Sequence, residues 1–113
     1  MPMIETKLNG TLTPEQETRL KERFGQAIAL IPGKSERWLM LDFEDGRRMH
    51  FAGTDAPCAF VEVKLYRAAP REACAALTRE LCGILAGELG LDPARIYVKY
   101  SPCDEWGWNG ENF

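Results

Sequence analysis

The feature that most constrains this chain is an element order that occurs twice. Met3 to Leu8 reads as a strand. Thr13-Pro14-Glu15-Gln16 then opens a helix with three agreeing signals: Thr13 as N-cap, Pro14 at the first helical position, and Gln16 closing a capping box. Leu20, Phe24, Ala27, Ile28 and Ile31 form one helical stripe, and Pro32-Gly33 ends it. A buried strand, Arg37 to Phe43, follows. The second half repeats the order. Ala59 to Tyr66 alternates, with Val61, Val63 and Leu65 on one face and Phe60, Glu62, Lys64 and Tyr66 on the other. Pro70 opens a second helix whose stripe is Ala73, Leu77, Leu81, Ile84 and Leu85, with Cys74 and Cys82 at its edges. Gly90 ends it, and Arg95 to Tyr100 is the last strand.

Strand, helix and strand, taken twice, is two βαβ units, each with a parallel strand pair joined by a right-handed crossover. The expected fold is therefore α/β, an α+β sandwich with a four-stranded mixed sheet and two helices on one face. The uncovered face still carries aromatic and charged residues, and a closed oligomer is the economical way to cover it. Between the units, Asn9-Gly10 ends the first strand, and Glu44-Asp45-Gly46-Arg47 reads as a hairpin turn. Arg48 to Phe51 reads as a short edge strand, and 53–57 as a loop. The tail, Ser101 to Phe113, holds Trp106, Trp108 and Phe113 among Gly and Asn.

Residues 1–113 suit a single domain. With 45% hydrophobic residues and three Trp, a packed core is expected and disorder is not. A net charge of −3 and a pI near 5.2 argue against nucleic acid as a partner. No run approaches the length of a membrane span, and no basic-then-apolar leader opens the chain, so neither membrane nor signal peptide is expected. Cys58, Cys74, Cys82 and Cys103 have no metal-ligand spacing and no CxxC, and His50 is the one histidine, so no metal is expected. Reduced, structural thiols in a cytoplasmic protein fit best. His50 reads as a surface residue, and Cys58 and Cys82 as core or near-core thiols.

Pro2 stands at the head of the first strand, the position at which a strand tolerates proline. If Met1 is removed, the ring nitrogen of Pro2 becomes a secondary amine that titrates near neutrality. A proline at position 2 is common and by itself carries no function.

Taken together, several segments resemble the macrophage migration inhibitory factor (MIF) and D-dopachrome tautomerase branch of the tautomerase superfamily. They are Met1-Pro2-Met3, Pro32-Gly33-Lys34, Ala56-Pro57-Cys58-Ala59, Leu81-Cys82-Gly83-Ile84-Leu85-Ala86, Asp92-Pro93-Ala94-Arg95-Ile96-Tyr97 and Gly107-Trp108-Asn109. The likeness covers essentially the whole chain. It implies a homotrimer whose sheets wrap into a barrel with the helices outside. It also implies cofactor-free keto–enol tautomerisation of small aromatic acids such as phenylpyruvate, with Pro2 as the catalytic base. The implied site lies between subunits: Pro2, Lys34 and Tyr66 from one chain, Tyr97 and Lys99 from its neighbour.

This chain departs from the family pattern in four places. Lys99 stands where Asn is commonly cited and resembles the basic residue of D-dopachrome tautomerases. Tyr66 replaces an aliphatic residue. Val61 occupies the second position of the CxxC that some members carry. The tail is about two residues shorter, with Trp106 in place of a valine.

Within that frame, proton transfer α to a carbonyl needs a base near neutrality, and burial with nearby cations would keep Pro2 neutral. Lys34 and Lys99 are the candidate cations, able also to bind a keto-acid carboxylate and draw charge toward the enolate. Lys64 joins them by strand parity, giving an unusually basic pocket. Tyr66, Tyr97, Trp106 and Phe113 complete the substrate-binding set as an aromatic wall. Outside that frame, Lys34 complements a helix C-terminus, Tyr66 and Tyr97 are sheet packing, and Lys64 and Lys99 are solvated. Trp108 is expected to pack the tail on a neighbouring subunit. The alternative function is a MIF-like cytokine that binds a cell-surface receptor with weak or vestigial tautomerase activity. It would require leaderless secretion. A thiol–disulfide oxidoreductase is disfavoured, because Cys58 has no resolving thiol.

Overall fold

The computed structural model describes residues 1–113. β1 (Pro2–Leu8) and β3 (Ala59–Tyr66) pair antiparallel at the centre of a four-stranded sheet of order β2-β1-β3-β4. β2 (Met40–Glu44) lies parallel to β1, and β4 (Ile96–Cys103) lies parallel to β3. The two βαβ units thus meet back to back, as the repeat in the sequence predicts.

Both helical stripes are buried. α1 (Pro14–Ala27) begins with the expected capping box: the Gln16 amide donates to Thr13 Oγ1 at 3.1 Å, and the Thr13 amide donates to Gln16 Oε1 at 3.0 Å. Its apolar edge, including Leu20 and Phe24, packs with Leu77, Leu81, Ile84 and Leu85 of α2 (Arg71–Leu89) onto Ile4, Val61, Val63 and Leu65. Burial of each such side chain contributes about 1.5–3 kcal/mol. Gly90 ends α2 at φ +70°, where any other residue would be strained. Glu88 draws α2 to α1 through Arg19, at 2.6 Å, and Arg23, at 3.4 Å.

Three local expectations are corrected. The residues before β2 do not extend: Glu36–Trp38 form a 3-10 turn, and the strand begins at Met40, not Arg37. The turn at Gly46 closes no hairpin. The amides that would have started one are used elsewhere, Gly46 donating to Gly10 O and Arg47 to Leu8 O. Arg48 to His50 therefore form no strand, and only Phe51 makes a bridge, to Thr54. The tail forms a small hairpin of its own, β5 (Gly107–Trp108) with β6 (Glu111–Asn112), turned by Asn109 at φ +53° and Gly110 at φ +83°. Asn-Gly between paired residues is the preferred two-residue hairpin turn.

The loop from Phe51 to Pro57 is latched from two sides. Arg95 donates to the carbonyls of Phe51, Thr54, Ala56 and Pro57 at 3.0–3.3 Å, and its guanidinium lies 5.2 Å from the Phe51 ring centroid. Asn9 donates to Asp55 O and Ala56 O and accepts from the amide of Cys58. Cys58 is buried, Cys82 half-buried and His50 exposed. No helix is long and apolar enough to cross a membrane.

Candidate active site

The N-terminus is held by the end of β3. Pro2 is buried and paired with Leu65, and the amide of Tyr66 donates to the carbonyl of Met1 at 3.1 Å. Lys34 arrives from the other direction. Ile31 precedes a proline and is extended (φ −86°, ψ 120°); Gly33 lies at φ +79°, and the Lys34 amide donates to Ile31 O at 3.1 Å. That is the pattern of a type II turn with Pro and Gly at its two centres. The turn hangs from buried Ile31 and sends the Lys34 ammonium to the carbonyl of Tyr66 at 3.4 Å.

This arrangement acts on the chain's first nitrogen. The amine of Met1 falls from 8.0 to about 6, chiefly because it is partly buried, and further through hydrogen bonding and charge from Lys34. The protonated amine loses solvation and faces a second cation, and both effects disfavour it. The structure thus holds a neutral amine at the start of β1 at physiological pH.

The tail forms one wall. The Phe113 amide donates to Trp106 O at 3.0 Å, which sets the Phe113 ring 5.4 Å from that of Tyr66. The Trp108 ring meets Trp38 of the same chain edge to face, with centroids 5.1 Å apart, and is still 50% exposed. Trp38, Trp106 and Trp108, with Arg37, Leu39 and Met40, border a cavity of about 370 Å³ that reaches Met1, Pro2 and Met3. Hollows of similar size elsewhere are lined mainly by polar or charged groups, such as the one between Asn9 and the Arg47–His50 segment. The cavity beside Pro2 is set apart by its aromatic lining and by the amine at its edge.

A single chain brings Pro2, Lys34, Tyr66, Trp106 and Phe113 to one end of the sheet, with Lys64 opposite Met3 one residue in from that end, and leaves Tyr97 and Lys99 away from it. Pro2 pairs with Leu65, whereas Tyr97 pairs with Phe60, five residues back along β3, or about 17 Å. Tyr97 is 59% exposed, and its ring leans on that of Phe51 at a 53° tilt, with centroids 4.8 Å apart. Lys99 lies beside Glu62 at 3.8 Å, and Lys64 donates to Glu5 at 2.8 Å. Within one chain both lysines have carboxylate partners on the uncovered sheet face. The bond that Lys64 donates to Glu5 raises the pKa of Lys64, and Ser101 with Lys99 and Lys64 lowers that of Glu62.

Sequence reasoning missed Arg37 and Trp38 as site residues because it placed them in a strand. The Asn109-Gly110 pair was the available signal for the hairpin that brings Trp108 to Trp38.

The family model described as "Macrophage migration inhibitory factor (MIF)" matches residues 1–113. The chain belongs to the MIF family. It is 29% identical to the macrophage migration inhibitory factors of Meriones unguiculatus and Mus musculus, covering all of this chain and 99% of each relative. Among solved structures, Leishmania major MIF2 superposes with a TM-score of 0.93 at 29% identity, covering 100% of this chain and 97% of that one. The MIF homologue of Prochlorococcus marinus superposes at 0.87 with 28% identity, covering 98% of each chain. The two-helix, four-stranded mixed sheet is thus the MIF fold.

Proposed function

We propose that this MIF-family protein is a cofactor-independent keto–enol tautomerase acting on small aromatic keto acids, with Pro2 as its acid–base group once Met1 is removed. The observation that carries the reading is the amine at the head of β1, held near pKa 6 beside Lys34 and next to an aromatic cavity. Loss of Met1 would move the amine one residue, onto the ring of Pro2. It would also free the Tyr66 amide, now bonded to Met1 O, and leave it near the ammonium of Lys34. Toward the enol, the neutral amine would take the proton from the carbon α to the carbonyl and deliver it to the enolate oxygen; toward the keto acid, it would take the enol hydroxyl proton and deliver it to that carbon. The freed amide and Lys34 are suited to the charge that develops on oxygen.

On this reading Tyr97 and Lys99 enter the site from a second copy, in a homotrimer with its sites between subunits. Native mass would report both the trimer and the loss of Met1. Enol–keto turnover of phenylpyruvate, compared between the processed protein and Pro2→Gly, tests the reading. Unchanged turnover in Pro2→Gly would sink it.

The full-length likeness to mammalian macrophage migration inhibitory factors supports a second reading, a ligand for a cell-surface receptor. Receptor binding that survives a blocked cavity would favour that role over turnover.

A further inference from the structure

All three tryptophans of the chain, Trp38, Trp106 and Trp108, line the cavity beside Pro2. Met3 and Met40 extend the apolar lining, and among the ten bordering residues Arg37 is the one with a charged side chain. Arg37 makes no ion pair with any carboxylate of the chain. Its guanidinium lies over the ring of Trp38, 5.0 Å from the centroid, while the edge of the Trp38–Trp108 pair fixes that ring in turn. Stacking engages the flat face of a guanidinium and leaves its N–H fork free, and that fork matches a carboxylate. The 3-10 turn Glu36–Trp38 ties this group to the same segment that carries Lys34.

We propose that Arg37 is a specificity-determining residue that receives the anionic group of a ligand whose aromatic ring lies in the tryptophan-lined cavity. This rests on the proposed keto-acid reading but assigns the anion to a different cation. Neither Lys34, bonded to the Tyr66 carbonyl, nor Lys99, beside Glu62, borders this cavity. Arg37 is exposed, so solvent weakens the contact, and an effect of about tenfold is expected.

The test separates binding from turnover. Titrate 3-phenylpropanoate and its methyl ester into the protein by calorimetry, with tryptophan emission as a local reporter because every tryptophan borders this cavity. The acid should bind about tenfold tighter than the ester. Arg37→Gln should bring the two affinities together, Arg37→Lys should keep part of the preference, and Arg48→Gln, distant from the cavity, should leave it as it was. Equal binding of acid and ester by the unaltered protein, or a full acid preference in Arg37→Gln, would overturn the proposal. A protein that selects the acid through Arg37 but shows no phenylpyruvate turnover would uphold the anion site and sink the enzymatic reading.

Discussion

Lys34 Nζ donates to the carbonyl of Tyr66 across 3.4 Å, and that contact joins the turn after α1 to the last residue of β3. It also stations a cation beside the terminal amine. Replacing Lys34 with Met should raise the amine from about 6 part of the way toward 8.0, because burial, the larger cause, remains. An NMR titration of the Met1-bearing chain reads this directly. An unmoved midpoint would show that Lys34 has no part in the shift.

The pH dependence has a definite sign. The folded amine holds its proton less tightly than the unfolded one, so its contribution to stability is complete above pH 8 and is lost as pH falls toward 6. If the processed amine of Pro2 behaves alike, turnover should fall as pH drops through about 6, where the folded amine becomes protonated. A flat pH–rate profile between pH 5 and 8, set by that shift, would contradict the base role.

Turnover should follow the fraction of chains that have lost Met1, since a Pro2 nitrogen within a peptide bond cannot accept a proton. General acid–base groups contribute on the order of 10²–10⁴ in rate, so Pro2→Gly should lose a large part of that. Intact mass and phenylpyruvate turnover, measured on the same samples, check both statements.

Thr6 is fully buried, and its hydroxyl has no hydrogen-bond partner. It lies across from Val61 on β3 and Phe43 on β2, in apolar surroundings. Thr6→Val keeps the shape and removes the unsatisfied group, and should stabilise the fold by about 1 kcal/mol. Urea unfolding measures it; a loss of stability would mean that the hydroxyl has a partner.

Arg95→Ala should cost about 2 kcal/mol and loosen residues 51–57, since one side chain ties down four carbonyls of that loop. Hydrogen exchange should rise across the loop and leave β1 and β3 protected. A uniform rise would place the role of Arg95 in global stability instead.

What the sequence determined is what depends on near neighbours. The capping box at Thr13, the helical stripes, the alternation of Ala59 to Tyr66 and the Pro32-Gly33 turn are set by spacings of two to four residues, and each recurs in the structure. So do the placements of Pro2 at a strand's head and of Lys34 after a Pro-Gly turn. The tertiary structure decided what depends on distant partners. Lys64 and Lys99 had the right parity for a basic pocket, but Glu5 and Glu62 sit beside them across strands far apart in sequence. Arg48 to Phe51 could have paired as a strand, but the amides of Gly46 and Arg47 bond to the end of β1 instead. Trp38 was indistinguishable from a strand residue until the Asn109-Gly110 turn brought Trp108 to its face. Local spacing fixes the backbone's hydrogen bonds and buried faces, whereas the partner of a charge or a ring is chosen by which strands become neighbours.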